Sequence, residues 1–168
     1  MSIEKVREYL STFGVEDKIK EFTVSSATVE LAAKALCCEP CQIAKSMAFA
    51  MGEGAILVVA AGDTKIDNQK FKAEFGTKAK MLQFDDVERL IGHAVGGVCP
   101  FGINDGVLVY LDNSLKRFET VYPACGSSNS AIGLTLDELR YDCPFAFDHG
   151  NFQDIGDVQA GAFDSGLV

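Results

Sequence analysis

Two apolar segments follow each other directly near the middle of the chain, AKSMAFAM at 44–51 and AILVVAA at 55–61. The first alternates small or polar residues with apolar ones, which is typical of a half-buried strand. The second is apolar throughout and predicts a strand at the centre of a sheet. Further strands, several of them directly successive, are predicted at 18–24, 78–82, 107–112, 119–125 and 131–135. This order disfavours a doubly wound parallel sheet and favours a mixed, largely antiparallel α+β domain.

Helical spacing of apolar residues predicts helices at 3–13, 29–36, 68–75, 84–91 and 136–141. Asp67 precedes the third of these as a candidate N-cap, and Gly76 follows it as a closing residue. A chain of 168 residues is of single-domain size. We therefore expect one compact domain over residues 1–142. An acidic, Gly-rich extension without clear periodicity follows at 143–168.

The sequence contains no apolar run near the roughly 20 residues that a membrane-spanning helix needs. The N-terminal MSIEKVREYL predicts a charged amphipathic helix rather than a signal peptide. We therefore expect a cytoplasmic protein with no membrane partner. A monomer and a homodimer are both compatible with this sequence.

The net charge of −9 is unevenly distributed. Residues 1–80 carry eleven basic and eleven acidic residues, so the whole excess of acid lies in 81–168. The first half contains a lysine-rich stretch that includes Lys65, Lys70 and Lys72. These lysines are candidates for contacts with nucleic acid phosphates, and an ordinary solvated helix is the alternative.

Three cysteines occur within five residues, Cys37, Cys38 and Cys41, in the stretch CCEPCQIAKSM. A structural zinc ion needs four ligands, and the other cysteines and histidines are scattered and form no second pair. A thioredoxin-like pair needs its C-x-x-C motif at a strand-to-helix turn, whereas here a helix precedes the motif. We therefore favour structural cysteines and no metal, with a redox pair and a metal site as the alternatives.

Four segments contain residue types that could bind or act on a ligand. Lys45 and Ser46 lie on the first apolar strand, and a lysine there faces either solvent or a cleft. GGVCPFG at 96–102 could present backbone N–H groups to an oxyanion, with Pro100 and Phe101 as a wall. ACGSSNS at 124–130 offers small polar groups, and Asp63 follows the central strand. Each segment also has an ordinary structural interpretation, namely a solvated lysine, a structural loop, a polar turn and a loop cap.

Taken together, these segments resemble the YbaK/EbsC family, the editing domain associated with prolyl-tRNA synthetase. The resemblance covers roughly residues 23–140. It rests on A-K-S in one strand, A-G-D after the next, G-G-x-x-P-F, and a late A-x-G-S. The family implies a compact domain whose curved, mostly antiparallel mixed sheet is surrounded by helices. It also implies a trans-acting deacylase of mischarged tRNA, of the Cys- or Ala-tRNA(Pro) type, which needs no cofactor. The partners implied are tRNA and, as a further candidate, prolyl-tRNA synthetase.

The resemblance also assigns roles to residues. The essential lysine of the family corresponds to Lys45, and the backbone N–H groups around Gly97 would stabilise the oxyanion. Substrate-binding positions would be Ser46, Met47, Asp63, Val98, Pro100, Phe101, Gly126, Ser127, Ser128 and Asn129. The attacking group would be water, or the substrate's own thiol when the amino acid is cysteine. A non-catalytic module that binds aminoacyl-tRNA or a nucleotide is the alternative.

Overall fold

The computed structural model describes residues 2–141 and 152–154. Its helices are α1 (Ser2–Ser11), α2 (Val29–Leu36), α3 (Asn68–Phe75), α4 (Phe84–Ile91) and α5 (Leu136–Tyr141). Its strands are β1 (Ile19–Glu21), β2 (Ile43–Met51), β3 (Gly54–Ala61), β4 (Leu108–Leu111), β5 (Thr120–Pro123), β6 (Ser130–Ile132), β7 (Leu134–Thr135) and β8 (Phe152–Asp154). Short 3₁₀ turns occupy Glu16–Lys18, Pro40–Gln42 and Asn113–Arg117.

The main sheet has the strand order β7-β5-β2-β3-β4-β8, and β1 pairs with β6 in a separate two-stranded sheet. The longest pairing is antiparallel and joins β2 to β3, from Ala44 opposite Ala61 to Met51 opposite Gly54. The pairs β2–β5, β3–β4 and β4–β8 are parallel, whereas β5–β7 and β1–β6 are antiparallel. The predicted mixed α+β fold is therefore confirmed, with β3 inside the sheet as its apolar sequence indicates.

Both faces of β3 are buried because its alternate residues pack into two different cores. Leu57 and Val59 belong to the larger core, which also contains the buried side chains of α1 and α4. Val58 on the other face packs in a smaller core with Phe71 of α3. Phe71 is completely buried, and burial of a side chain of this size stabilises the fold by roughly 1.5–3 kcal/mol.

The ends of α3 follow the capping residues in the sequence. The Asp67 carboxylate accepts hydrogen bonds from the backbone N–H groups of Gln69 and Lys70, at 2.9 and 3.1 Å. Gly76 closes the helix with φ of 74°, a backbone conformation that favours glycine. The loop that connects β3 to α3 is therefore fixed at its far end.

Two predicted strands differ from the structure. Residues 78–82 make only an isolated bridge, between Met81 and Phe49 of β2, because this segment presents exposed lysines rather than an alternating buried face. Residues 131–135 are divided at Gly133, where the chain leaves its partner β1 and pairs with β5. The predicted extension at 143–168 lies outside the described residues except for β8, which pairs with β4.

Candidate active site

The edge of β2 that faces away from β3 has a gap at Ser46. On one side of the gap, β2 pairs with β5 only through Ile43 and Ala44. On the other side, the Ala48 carbonyl accepts a hydrogen bond from Leu82 N–H at 3.0 Å. Because every second residue of a strand points its backbone groups to the same edge, the N–H and C=O of Ser46 project into this gap.

A cleft of about 580 Å³ opens along this edge of β2. Its lining residues come from four stretches, at 45–49 of β2, 65–68 before α3, 79–87 around the start of α4, and 95–98 of the glycine-rich loop. Lys45 and Lys65 line the cleft, and no carboxylate does so among the described residues. In a chain of net charge −9, this cleft is therefore suited to an anionic ligand.

Lys45 lies inside the protein with only 2% of its surface exposed, and it lines the cleft. Its Nζ donates a hydrogen bond to the backbone carbonyl of Thr64. Thr64 is itself buried, and its hydroxyl donates to the carbonyl of Ala61 at the end of β3. A buried ammonium needs such partners because the loss of its hydration is costly. Lys45 is therefore shielded from bulk water and forms part of the cleft wall.

Ser46 adds an unusual polar group to the same cleft. The residue is only 4% exposed, and its hydroxyl has no hydrogen-bond partner among the described residues. A buried hydroxyl without a partner costs roughly 1–3 kcal/mol. Ser46 is therefore a residue of the cleft wall whose hydroxyl has no hydrogen-bond partner among the described residues.

Asp63 does not line the cleft but binds Arg117 through two hydrogen bonds, of 2.9 and 2.5 Å. These bonds hold the pKa of the Asp63 carboxyl below its usual value and raise the pKa of Arg117. The neighbouring Gly62 is needed because a Cβ there would overlap the carbonyl oxygen of Pro40. The A-G-D motif therefore holds together three loops around Lys45, rather than presenting Asp63 to the cleft.

The structure uses Gly97 differently from the predicted oxyanion donor. Its backbone N–H donates to the carbonyl of Ala94 at 3.1 Å. A Cβ at Gly97 would lie 2.6 Å from the backbone nitrogen of Ser127, so glycine is required for the close approach of two loops. The neighbours Gly96 and Val98 line the cleft instead.

Other predicted positions also have structural partners. The ring of Phe101 is fully buried and lies 6.5 Å from that of Tyr9, so it belongs to the core and does not wall the cleft. Pro100 is buried as well, whereas Met47 lines the cleft as predicted. Lys70 and Lys72 are exposed on α3, and only Lys65 of these three lysines lines the cleft.

The polar turn after β5 holds the segment that follows β1. The Asn129 amide donates to the carbonyl of Phe22 at 2.9 Å, and the Ser128 carbonyl accepts from Ser26 N–H at 2.7 Å. Ser127 bonds to Ser130, and a Cβ at Gly126 would lie 2.7 Å from the carbonyl oxygen of Ser2. This turn packs behind the glycine-rich loop, and its residues do not line the cleft.

The role of His93 was not predicted from the sequence. Its Nδ1 accepts a hydrogen bond from the Ser2 hydroxyl at 2.5 Å, and its Nε2–H donates to the carbonyl of Phe101 at 2.7 Å. Burial lowers the pKa of the imidazole, which is consistent with a neutral ring in this arrangement. His93 therefore connects the start of α1 to the glycine-rich loop. Only its position between Gly92 and the Gly96-Gly97 pair could have suggested this role.

The three clustered cysteines lie away from the cleft lining as free thiols. Burial is the main cause that raises the pKa of the Cys38 thiol, and the nearby Cys41 adds to it. The raised pKa disfavours the thiolate that redox chemistry needs. Cys37 ends α2 in a left-handed conformation with φ of 54°. Within residues 2–141, no three Cys, His, Asp or Glu side chains are grouped as metal ligands. Within the same range, no helix is long and apolar enough to span a membrane.

Comparison with known families adds to this geometry. The aminoacyl-tRNA editing domain family matches residues 23–141 of the chain, which include every stretch that lines the cleft. The chain belongs to this family. The resemblance to YbaK-type editing domains in the sequence is thus confirmed.

Several proteins similar to this chain are prolyl-tRNA synthetases or are described in relation to them. It is 53% identical to the uncharacterized protein YwhH of Bacillus subtilis over 141 residues, 83% of this chain and 89% of that protein. It is 28% identical to the proline–tRNA ligase of Aquifex aeolicus over 84% of this chain but only 24% of the ligase. A crystal structure described as "a putative trans-editing enzyme for prolyl tRNA synthetase" superposes with a TM-score of 0.81 and 30% identity, covering 95% of this chain and 97% of that one.

Proposed function

We propose that this editing domain is a trans-acting aminoacyl-tRNA deacylase, which hydrolyses the ester of mischarged tRNA of the Cys- or Ala-tRNA(Pro) type. The observation that carries the proposal is the buried Lys45 in a cleft that no carboxylate of the described residues lines. The family and the solved trans-editing structure support an editing role. The similarity to proline–tRNA ligases supports tRNA(Pro) as the carrier.

In this mechanism Lys45 holds the 3′ end of the tRNA through the ester carbonyl or the phosphate of the terminal adenosine. The ester bond between amino acid and ribose is already activated, so the site needs orientation and charge stabilisation rather than a covalent nucleophile. Water, or the substrate's own thiol in the case of cysteine, attacks the carbonyl, and the ribose oxygen leaves. The Ser46 hydroxyl, which has no partner among the described residues, donates a hydrogen bond to the substrate in this proposal.

The backbone donors to the developing oxyanion must be reassigned, because Gly97 N–H bonds to Ala94. We assign this role to the N–H groups of Gly96 and Val98, because these two residues line the same cleft as Lys45. Gly96 has φ of 94°, a conformation that turns its peptide unit in a direction unfavourable for other residues. Gly97 then acts as a positioning residue that fixes these two neighbours against the loop at Ser127.

Selection of the amino acid would come from the apolar part of the cleft, which includes Met47, Phe49 and Val87. An apolar pocket discriminates one methylene group by only about 1–3 kcal/mol. Contacts with the tRNA must therefore add to the selectivity. Lys65 lines the cleft, and α3, the helix that follows it, exposes Lys70 and Lys72. We propose these three lysines as phosphate contacts.

A deacylation screen with Cys-, Ala-, Ser- and Thr-charged tRNA(Pro) tests this proposal. Wild type should release cysteine or alanine, and Lys45→Ala should not. Lys34→Ala is the matched control, because Lys34 is exposed on α2 and does not line the cleft. Binding of the charged tRNAs without hydrolysis of any of them would instead identify a non-catalytic binding module.

A further inference from the structure

Two large apolar side chains lie exposed at the mouth of the cleft. Phe84 is 72% exposed and Met81 is 57% exposed, and both line the cleft. Single exposed apolar side chains are common on protein surfaces, but two large ones that line the same cleft indicate a binding surface. The cleft therefore has an apolar lip directly beside its polar interior.

The core does not need Phe84. The buried residues of α4 are Val87 and Ile91, which pack into the larger core. Phe84 begins the helix one turn before Val87 and lies on the cleft side, where it adds nothing to the interior. The backbone bridge between Met81 and Phe49 of β2 fixes the course of the chain three residues before Phe84.

The charges of the cleft indicate what covers the lip. Lys45 and Lys65 line the cleft without a carboxylate among the described residues, which favours an anionic ligand. Asp85 and Asp86 follow Phe84 but do not line the cleft, and Asp86 is paired with Arg89 at 2.5 Å. A nucleotide combines negative charge with a flat base that stacks on an aromatic ring, so it matches both parts of this cleft.

We propose that Phe84 is the stacking platform for the terminal adenine base of the bound RNA, with Met81 completing the apolar lip. The inference rests on the proposed function, because it orders the RNA 3′ end along the cleft. The base lies on Phe84 at the mouth, the phosphate is near Lys65, and the esterified group enters towards Lys45. Stacking tolerates any base, so Phe84 contributes affinity rather than sequence selectivity.

The absence of tryptophan from the chain allows a direct test. Phe84→Trp introduces a single tryptophan at the lip, which can be excited at wavelengths that tyrosine does not absorb, and the probe is a short single-stranded RNA that ends in CCA. We expect saturable quenching of this fluorophore. An RNA of the same length whose terminal nucleotide is abasic should bind about tenfold more weakly. Leu31→Trp is the control, because Leu31 is 42% exposed on α2 and does not line the cleft, and its fluorescence should not change.

The test separates the inference from the proposed function because it needs no hydrolysis. Equal binding of the two RNAs, or equal responses of the Phe84→Trp and Leu31→Trp proteins, would overturn the stacking platform even in an active deacylase. Quenching that depends on the terminal base upholds the platform even if no charged tRNA is hydrolysed. In an active enzyme, Phe84→Ala should raise KM about tenfold with little change in kcat, whereas Phe84→Tyr should restore the wild-type KM.

Discussion

The side chain of Lys45 on β2 donates a hydrogen bond to the backbone carbonyl of Thr64, in the loop that follows β3. This bond joins β2 to the loop that follows its neighbour β3. The loop is fixed in turn by the pair between Asp63 and Arg117, whose two hydrogen bonds measure 2.9 and 2.5 Å. The ammonium therefore has a defined position before any ligand enters, which is what electrostatic catalysis requires.

Replacement of Lys45 should remove activity without unfolding the protein. We expect Lys45→Ala and Lys45→Met to lower kcat/KM for deacylation at least a hundredfold, the usual effect of deleting one group that stabilises developing charge. The Thr64 carbonyl loses its donor, but a costly buried charge is also removed. The melting temperature should therefore stay within a few degrees of wild type, as measured by calorimetry. Full activity in the folded Lys45→Met protein would exclude Lys45 from the mechanism.

Gly97→Ala should destabilise the protein through a steric clash. A Cβ at Gly97 would lie 2.6 Å from the Ser127 nitrogen and 2.7 Å from the Gly126 carbonyl carbon, both backbone atoms that cannot move aside easily. Overpacking of this kind costs about 1–3 kcal/mol. Urea unfolding should show this loss, together with lower deacylation, because Gly96 and Val98 are displaced.

Gly106→Ala is the control for backbone conformation. Gly106 has φ of 86° but nothing within 4 Å of its added Cβ, so the substitution costs only the strain of a left-handed residue, about 1–2 kcal/mol. It should leave deacylation unchanged after correction for stability. If Gly97→Ala and Gly106→Ala lower deacylation to the same extent, the contact between the two loops at Gly97 does not position the site.

The periodicity of apolar residues predicts most of this fold. The spans of α2, α3 and α4 in the structure are those that the sequence indicates, because each helix has apolar residues at helical spacing. In addition, Thr28 and Asp67 cap the start of α2 and α3, and Gly76 and Gly92 end α3 and α4. Residues 78–82 were predicted as a strand and form only a bridge at Met81. A short segment whose pairing is decided by a distant strand carries no local signal of that pairing.

The site was predictable only in part for a related reason. Of the residues predicted for the site, five line one cleft, namely Lys45, Ser46, Met47, Lys65 and Val98. The use of Gly97 and of the turn at 126–129 for packing between loops depends on atoms far apart in sequence. Glycines required for close approach and glycines that present N–H groups to a ligand look the same in a sequence. The apolar lip at Phe84 was not predicted, because the exposure of a side chain depends on how the whole chain packs around it.

Ser46→Ala should separate stability from binding. The Ser46 hydroxyl is buried without a partner among the described residues, so its removal should leave the free energy of unfolding unchanged or raise it by about 1 kcal/mol. If the hydroxyl bonds to the substrate, KM for charged tRNA should rise severalfold in the same variant. Ser46→Thr keeps the hydroxyl and serves as the matched variant, with a KM closer to wild type. A lower melting temperature with an unchanged KM would show that the hydroxyl has a structural partner instead.

The stability of the protein should depend on pH through His93. Burial lowers the pKa of this imidazole in the folded state, whereas an unfolded histidine titrates near about 6.5. Below that pH the unfolded chain binds a proton that the folded protein excludes, so the free energy of unfolding falls as the pH decreases. Above it both states are neutral, and the full stability is present. Lys5 adds to the lowering, and Phe101 opposes it by accepting the hydrogen bond from Nε2.

The measurement is the free energy of unfolding in urea between pH 5 and pH 8, for wild type and His93→Gln. A glutamine amide can still donate to the Phe101 carbonyl but does not titrate, and the carboxylates that titrate at lower pH are the same in both proteins. We expect the variant to be less stable at pH 8, and the difference between the two proteins to shrink by up to about 1.4 kcal/mol per pH unit below 6.5. A difference that is constant across this range would mean that His93 titrates with the same pKa in the folded and unfolded states. The glycine-rich loop would then not depend on a neutral imidazole, and the link from α1 through His93 to the wall of the cleft would be disproved.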